Sequence, residues 1–339
     1  MDTIENIKNT LDTYRNQNIR FISVTNSEWY SLFRDEIRNS IAIEGIFANR
    51  NELLFVLEQG RHSSNQKTAA ILGYFEAAST LYEYAENQYR TGEFEIRLSD
   101  LKQIHTLLMR YEHQLGTFTG NPGGFRKSDV TVTNSSFTPL NYMHLENVLP
   151  AFICWINENI RKLQFDILTF SAASHILFET IHPFRDGNGR VGRILLSYLL
   201  IGSGLVNIAI KGTTKADRNI YYQSLEVGDE CVEKLLRYIE KGKRINVQII
   251  NDYISDSNLE PLKRIIQKRL IYSFKCIEKG MKTSDSDALI PLREAAKYYN
   301  YSQDYLRQLI HLRKLPGVKR GKLWYIKVRD IEKYSKNQQ

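Results

Sequence analysis

Residues 182–190 read HPFRDGNGR. An imidazole, a carboxylate, a Gly-Asn-Gly run and an arginine lie within nine positions. Upstream, DILTFSAASHILFETI carries apolar residues at three- and four-residue spacing, and VGRILLSYLLIG resumes that spacing downstream, so the pattern predicts helix, glycine loop, helix. The start of the second helix offers unpaired amides and the positive end of its dipole, and Gly187 and Gly189 let backbone approach an anion closely. Arg190 and Arg193, three residues apart, are planar donors on neighbouring positions of that helix. Asp186 supplies one carboxylate, which beside a phosphate site suits Mg²⁺ rather than zinc. His182 can accept a proton near neutral pH. Singly, each has a plainer reading: a hydrogen-bonded His, a turn, solvated arginines. Together they predict hydroxyl attack on phosphorus.

The surrounding chain is 339 residues, long enough for about two or three compact units. No apolar run approaches the roughly 20 residues that span a bilayer, and MDTIENIKNT has no signal-peptide pattern, so a cytoplasmic location and no membrane partner are expected. Cys154, Cys231 and Cys276 are odd in number and far apart, which predicts reduced thiols and no structural metal. The body reads as mainly α. The exception, GNPGGFRKSDVTVTNSSFTPL at 120–140, reads as a loop and a short exposed hairpin. KTSDSD at 282–287 fits an interdomain linker. Beyond it, residues 288–339 hold twelve Lys and Arg against four Asp and Glu, so the whole net charge of +8 belongs to this tail.

HPFRDGNGRVGR satisfies every fixed position of the signature of the Fic family, which this sequence resembles. The similarity extends to IHTLLM, GGFR at 123–126, the VTVTNSSFTPL segment and RNIYYQSL at 218–225. It implies a Fic-type helical bundle with a β-hairpin flap, and transfer of AMP from ATP to a Ser, Thr or Tyr hydroxyl of a protein. On that reading His182 is the general base and Asp186 holds Mg²⁺. Gly187, Asn188 and Gly189 form the anion hole, Arg190 meets the β-phosphate and Arg193 the γ-phosphate, while Phe184 anchors the loop. Val130, Thr131 and Val132 would dock the target by strand addition, and Tyr221 and Tyr222 would line the adenine pocket. Asp186 and Gly189 disfavour the phosphotransferase branch; transfer of UMP stays open.

SIAIEG at 40–45 resembles the family's inhibitory motif, which implies that Ser40, Glu44 and Gly45 set a carboxylate against Arg193 and keep it from the γ-phosphate. The plainer reading is a helix with a solvated Glu44 before a glycine stop. The same resemblance allows Glu44 to position a water that removes AMP. The tail resembles excisionase-type winged helices. In that reading Gln303, Arg307 and Gln308 face bases and Lys319, Arg320 and Lys322 meet phosphates, the alternative being a protein-interaction module. The expected organisation is an N-terminal helical region (1–99), a catalytic core (100–235), a helical connector and linker (236–287) and a winged helix (288–339). The expected function is an autoinhibited adenylyltransferase using ATP and Mg²⁺ on a protein substrate, with DNA as a second partner and a homodimer compatible with the chain. A DNA-binding regulator whose body only senses nucleotide is the alternative.

Overall fold

The computed structural model describes residues 3–59, 64–132, 137–255, 257–282, 289–320 and 323–336. The body is helical: α1 (Ile4–Asn16), α2 (Ser27–Ile43), α3 (Arg50–Gln59), α4 (Gln66–Thr91), α5 (Leu98–Gln114), α6 (Leu145–Lys162), α7 (Ile167–Ile181), α8 (Asn188–Gly202), α9 (Lys215–Glu240), α10 (Val247–Ser255) and α11 (Glu260–Lys282). Side-chain caps start several of these. Asn26 accepts from the Trp29 amide at α2, Asn65 from Thr68 at α4, and Thr214 from Asp217 at α9. Helix α4 packs along α5 and α8, and α7 along α8 and α9, so the two helices flanking the glycine loop sit at the centre.

Buried residues from Ile7 to Ile277 share one core. The segments read as N-terminal region and connector therefore close the same body as the central helices. α11 lies on α2, α7 and α9, and Leu262, Ile266 and Leu270 are fully buried.

A second core belongs to the C-terminal unit. It contains α12 (Leu292–Tyr298), α13 (Gln303–His311), α14 (Val328–Lys336) and a sheet of β1 (Leu289–Pro291), β2 (Val318–Arg320) and β3 (Leu323–Lys327) in the order β1-β3-β2. Ser302 caps α13 as its sequence position suggests, accepting from the Tyr305 amide. β2 and β3 form the expected wing, and β1, too short to show a period, adds an antiparallel edge with Ile290 opposite Ile326. The unit touches the body where Arg293 donates to the Leu57 carbonyl at 2.6 Å and Tyr325 to Glu58 at 2.5 Å.

The hairpin expected within 120–140 is not found among the described residues. Residues 130–132 are irregular backbone with no ladder partner, and 133–136 lie outside the described residues, as do 283–287 of the expected linker.

Candidate active site

Helix α7 ends at His182, which adopts the left-handed conformation (φ 51, ψ 59) as its C-cap and donates its amide to the Phe178 carbonyl. That turn swings the chain out of the helix and aims the imidazole into a cavity of about 630 Å³. Nδ1 lies 3.1 Å from the Glu179 carbonyl; with its proton there, Nε2 is left as an acceptor. Burial is the main cause that lowers the His182 pKa below its ordinary value, so the ring is neutral near pH 7.

The loop that follows closes on itself. Asn188 accepts from the Phe184 amide at 2.9 Å and donates to the Phe184 carbonyl at 2.8 Å, so its side chain is engaged in holding the loop rather than presented to a ligand. Its backbone amide, at the start of α8, is among those a helix leaves without an intrahelical partner. Phe184 is fully buried between His105 and Phe125, as the anchoring reading requires. Gly187 has φ 78, and a Cβ there would meet Met109 Sδ at 2.8 Å. Asp186 lines the cavity, its Oδ1 accepting from the Gly187 amide at 2.6 Å.

The two arginines part company. Arg193 lines the cavity, while the Arg190 guanidinium turns away to Glu112 on α5, at 2.7 and 3.1 Å. Its side chain and that of Glu112 are about 5% and 4% exposed, a buried pair that ties α8 to α5. Arg190, expected to meet the β-phosphate, therefore does not line the cavity.

Arg193 is already occupied. Nε donates to Ser40 Oγ at 2.8 Å, and Nη2 to the Ser40 carbonyl at 3.1 Å and to Glu44 Oε1 at 2.5 Å. Helix α2 ends so that Glu44 is its C-cap and Gly45 (φ 80) turns the chain away, which brings SIAIEG against the loop from 149 residues upstream. Gly189 leaves the necessary room, since a Cβ there would sit 2.6 Å from Glu44 Oε1. Burial pushes the Glu44 carboxyl up, but the Arg193 and Arg190 guanidiniums outweigh it and hold it below the usual carboxylate range.

Of the two expected adenine residues, Tyr221 is about 2% exposed and its hydroxyl is 2.7 Å from His175 Nε2, so its polar end belongs to the core. Tyr222 is 42% exposed and donates to the Ile43 carbonyl at 2.9 Å, fastening α9 to the end of α2. Both rings still border the cavity, together with Thr131 and Val132; Val130 does not.

Several contributors escaped the sequence reading. Arg126 donates through Nε to the His182 carbonyl at 2.8 Å and through Nη2 to the Leu140 carbonyl, locking the base of the 130–132 segment to the loop. Glu179 and Asp229 also line the cavity, and burial raises them to about 8 and about 7. Nothing in their local sequence marks these acids, because only the packing of α7 on α9 brings them to one wall. The expected DNA-facing residues of the C-terminal unit are plainer: Arg307 and Gln308 are exposed on α13, Arg307 pairing with Asp304 at 3.1 Å, and Gln303 is half-buried. Lys319 is exposed over Trp324, while Lys322 and the side chain of Arg320 lie outside the described residues.

The helical body, with its HPFRDGNGR loop between two central helices, has the architecture of a Fic-type fold, and comparison with known proteins finds similarity to that family. Residues 95–200 match the Fic/DOC family, and residues 292–339 match a helix-turn-helix domain. Among curated relatives, a probable protein adenylyltransferase of Aquifex aeolicus is 27% identical over 304 residues, covering 89% of this chain and 87% of its own. A protein adenylyltransferase Fic of Nematostella vectensis is 28% identical over 57% of this chain, which spans only 41% of that relative. A Fic-domain signalling protein of Bacteroides thetaiotaomicron has the same fold, with TM-score 0.57, 19% identity, 78% of this chain and 98% of that one covered. Fic-1 of Caenorhabditis elegans follows at TM-score 0.55 and 19% identity, over 83% of this chain and 73% of that one.

Proposed function

We propose that the protein is an autoinhibited adenylyltransferase that moves AMP from ATP to a Ser, Thr or Tyr hydroxyl of a protein. One observation carries the reading. A neutral imidazole with a free Nε2 and an arginine held by an upstream carboxylate face the same cavity beside a row of helix-start amides. In the reaction His182 takes the proton of the incoming hydroxyl as its oxygen bonds to the α-phosphorus, and the bond to the pyrophosphate oxygen breaks. The amides at Asn188 and Gly189 stabilise charge on the phosphate oxygens, and Arg193, once free of Glu44, orients the γ-phosphate. Arg190, engaged with Glu112, supports this by holding α8 in place.

Asp186 is the carboxylate that would hold Mg²⁺. The donor set fits, since Asp186 lines the cavity next to the helix-start amides and only one of its oxygens is engaged. When bound, the ion would offset negative charge on the phosphates. The Aquifex and Nematostella relatives carry the adenylyltransferase name, which supports ATP as the substrate, UMP being the competing nucleotide. Glu44 as the residue that positions water for AMP removal is a further reading of the same contact. No helix among the described residues is long and apolar enough to cross a membrane, in keeping with a cytoplasmic setting.

The test is covalent label from ATP carrying ³²P at the α-position. We expect faint labelling of self and lysate proteins by the wild type, strong labelling by Glu44→Gly, and none by Glu44→Gly with His182→Ala. Label that survives loss of His182, or that passes equally from γ-³²P-ATP, removes the proposal.

The helix-turn-helix match and the exposed Arg307, Gln308 and Lys319 favour DNA as a second partner. A gel shift with random duplex tests this. Binding that does not weaken on Arg307→Ala with Lys319→Ala, or does not fall as salt rises, speaks against the assigned face.

A further inference from the structure

His105, on α5 and fully buried, is part of neither the signature nor the inhibitory motif. Its ring lies flat on Phe184, centroids 3.9 Å apart and planes 1° apart. Nδ1 accepts the Gly123 amide at 2.8 Å. That bond requires a bare Nδ1, so the proton of the neutral ring sits on Nε2, which donates to the Asp186 carbonyl at 3.1 Å.

The Asp186 carbonyl and the Gly187 amide belong to one peptide unit. His105 holds its oxygen, and Asp186 Oδ1 takes its N–H. A glycine on the far side of a peptide makes rotation of that plane cheap, because Gly populates both signs of φ. Rotation here would release the Asp186 carboxylate from the Gly187 amide and let it leave the cavity wall. The Gly123 bond prevents the imidazole from adopting the tautomer that could not donate to Asp186.

We infer that His105 is a positioning residue that fixes the Asp186–Gly187 peptide plane, and thereby the carboxylate meant for the divalent cation. The inference rests on the nucleotidyl-transfer reading. It concerns a residue about 80 positions from the loop, whose action passes through Asp186 and never touches substrate.

The experiment uses the full chain carrying Glu44→Gly, with His105→Phe or His105→Gln added. Phe keeps the stack and loses both hydrogen bonds; Gln restores a donor for the Asp186 carbonyl. Affinities for metal-free ATP and for ATP with saturating Mg²⁺ are measured by calorimetry beside the melting temperature. Loss of a ligand's supporting partner costs about 10- to 100-fold in metal affinity. We therefore expect His105→Phe to weaken binding of Mg·ATP by about tenfold or more, with metal-free ATP changed by less than about twofold, and His105→Gln to recover most of the loss. Equal weakening of both forms with a lower melting temperature, or no weakening of either, overturns the inference. A parent that binds neither form overturns the nucleotide reading, and this inference falls with it.

Discussion

Glu112 shows why one residue's role depends on what faces it. The arginine following the glycine loop looks in sequence like a second phosphate ligand, yet Glu112 on another helix captures it. A buried pair gives little net stability, but removing one partner strands the other charge, at a cost of about 3–5 kcal/mol. We expect Glu112→Ala to lower the unfolding free energy from urea titration by that amount, with a lower midpoint, and Glu233→Ala, whose Arg237 pair is exposed, to change the free energy by less than about 1 kcal/mol. Equal midpoints would mean Arg190 finds another partner. His182 adds a second lesson: its identity was readable, but its left-handed backbone, which exposes Nε2, was not.

The proposed inhibitory element is α2, and its hold on Arg193 is a matter of helix length and register. Ser40 and Glu44, one turn apart, meet one guanidinium because the helix stops at Ile43, and Tyr222 and Asn39 fasten the same end through the Ile43 carbonyl and the Gly212 amide. Glu44 has a lowered pKa, so the stabilisation from its pair is complete above the ordinary carboxylate value and is lost only as pH falls through the lower folded value. The wild type should therefore stay inhibited down to about pH 5, the ratio of Glu44→Gly to wild-type labelling holding steady between pH 8 and 5. A ratio collapsing toward one near pH 6 would mean the contact titrates too early to act as the brake. Tyr222→Phe, which removes one of α2's fastenings, should raise wild-type labelling by about two- to tenfold, the effect of losing one hydrogen bond, and leave Glu44→Gly unchanged.

Over the whole molecule, two cavity acids make stability depend on pH. Glu179 and Asp229 are raised chiefly by burial, to about 8 and about 7. Their contribution is full below the ordinary carboxylate pKa and fades as pH climbs through those values. The melting temperature should fall as pH rises from about 5 to about 8, and fall less for Glu179→Gln with Asp229→Asn; a flat profile in the wild type would contradict the burial. Sequence alone determined the helical class, the loop between α7 and α8, the partnership of Glu44 with Arg193 and the separate basic tail. Each is written in short-range spacing, in a motif, or in charge composition, which survive without knowledge of neighbours. Tertiary structure alone decided that Arg190 faces Glu112, that Tyr221 turns its hydroxyl to His175, that His105 grips the Asp186 carbonyl, and that residues near both ends of the body share one core. These are contacts between segments distant along the chain, and a side chain's direction follows from which helix packs against it.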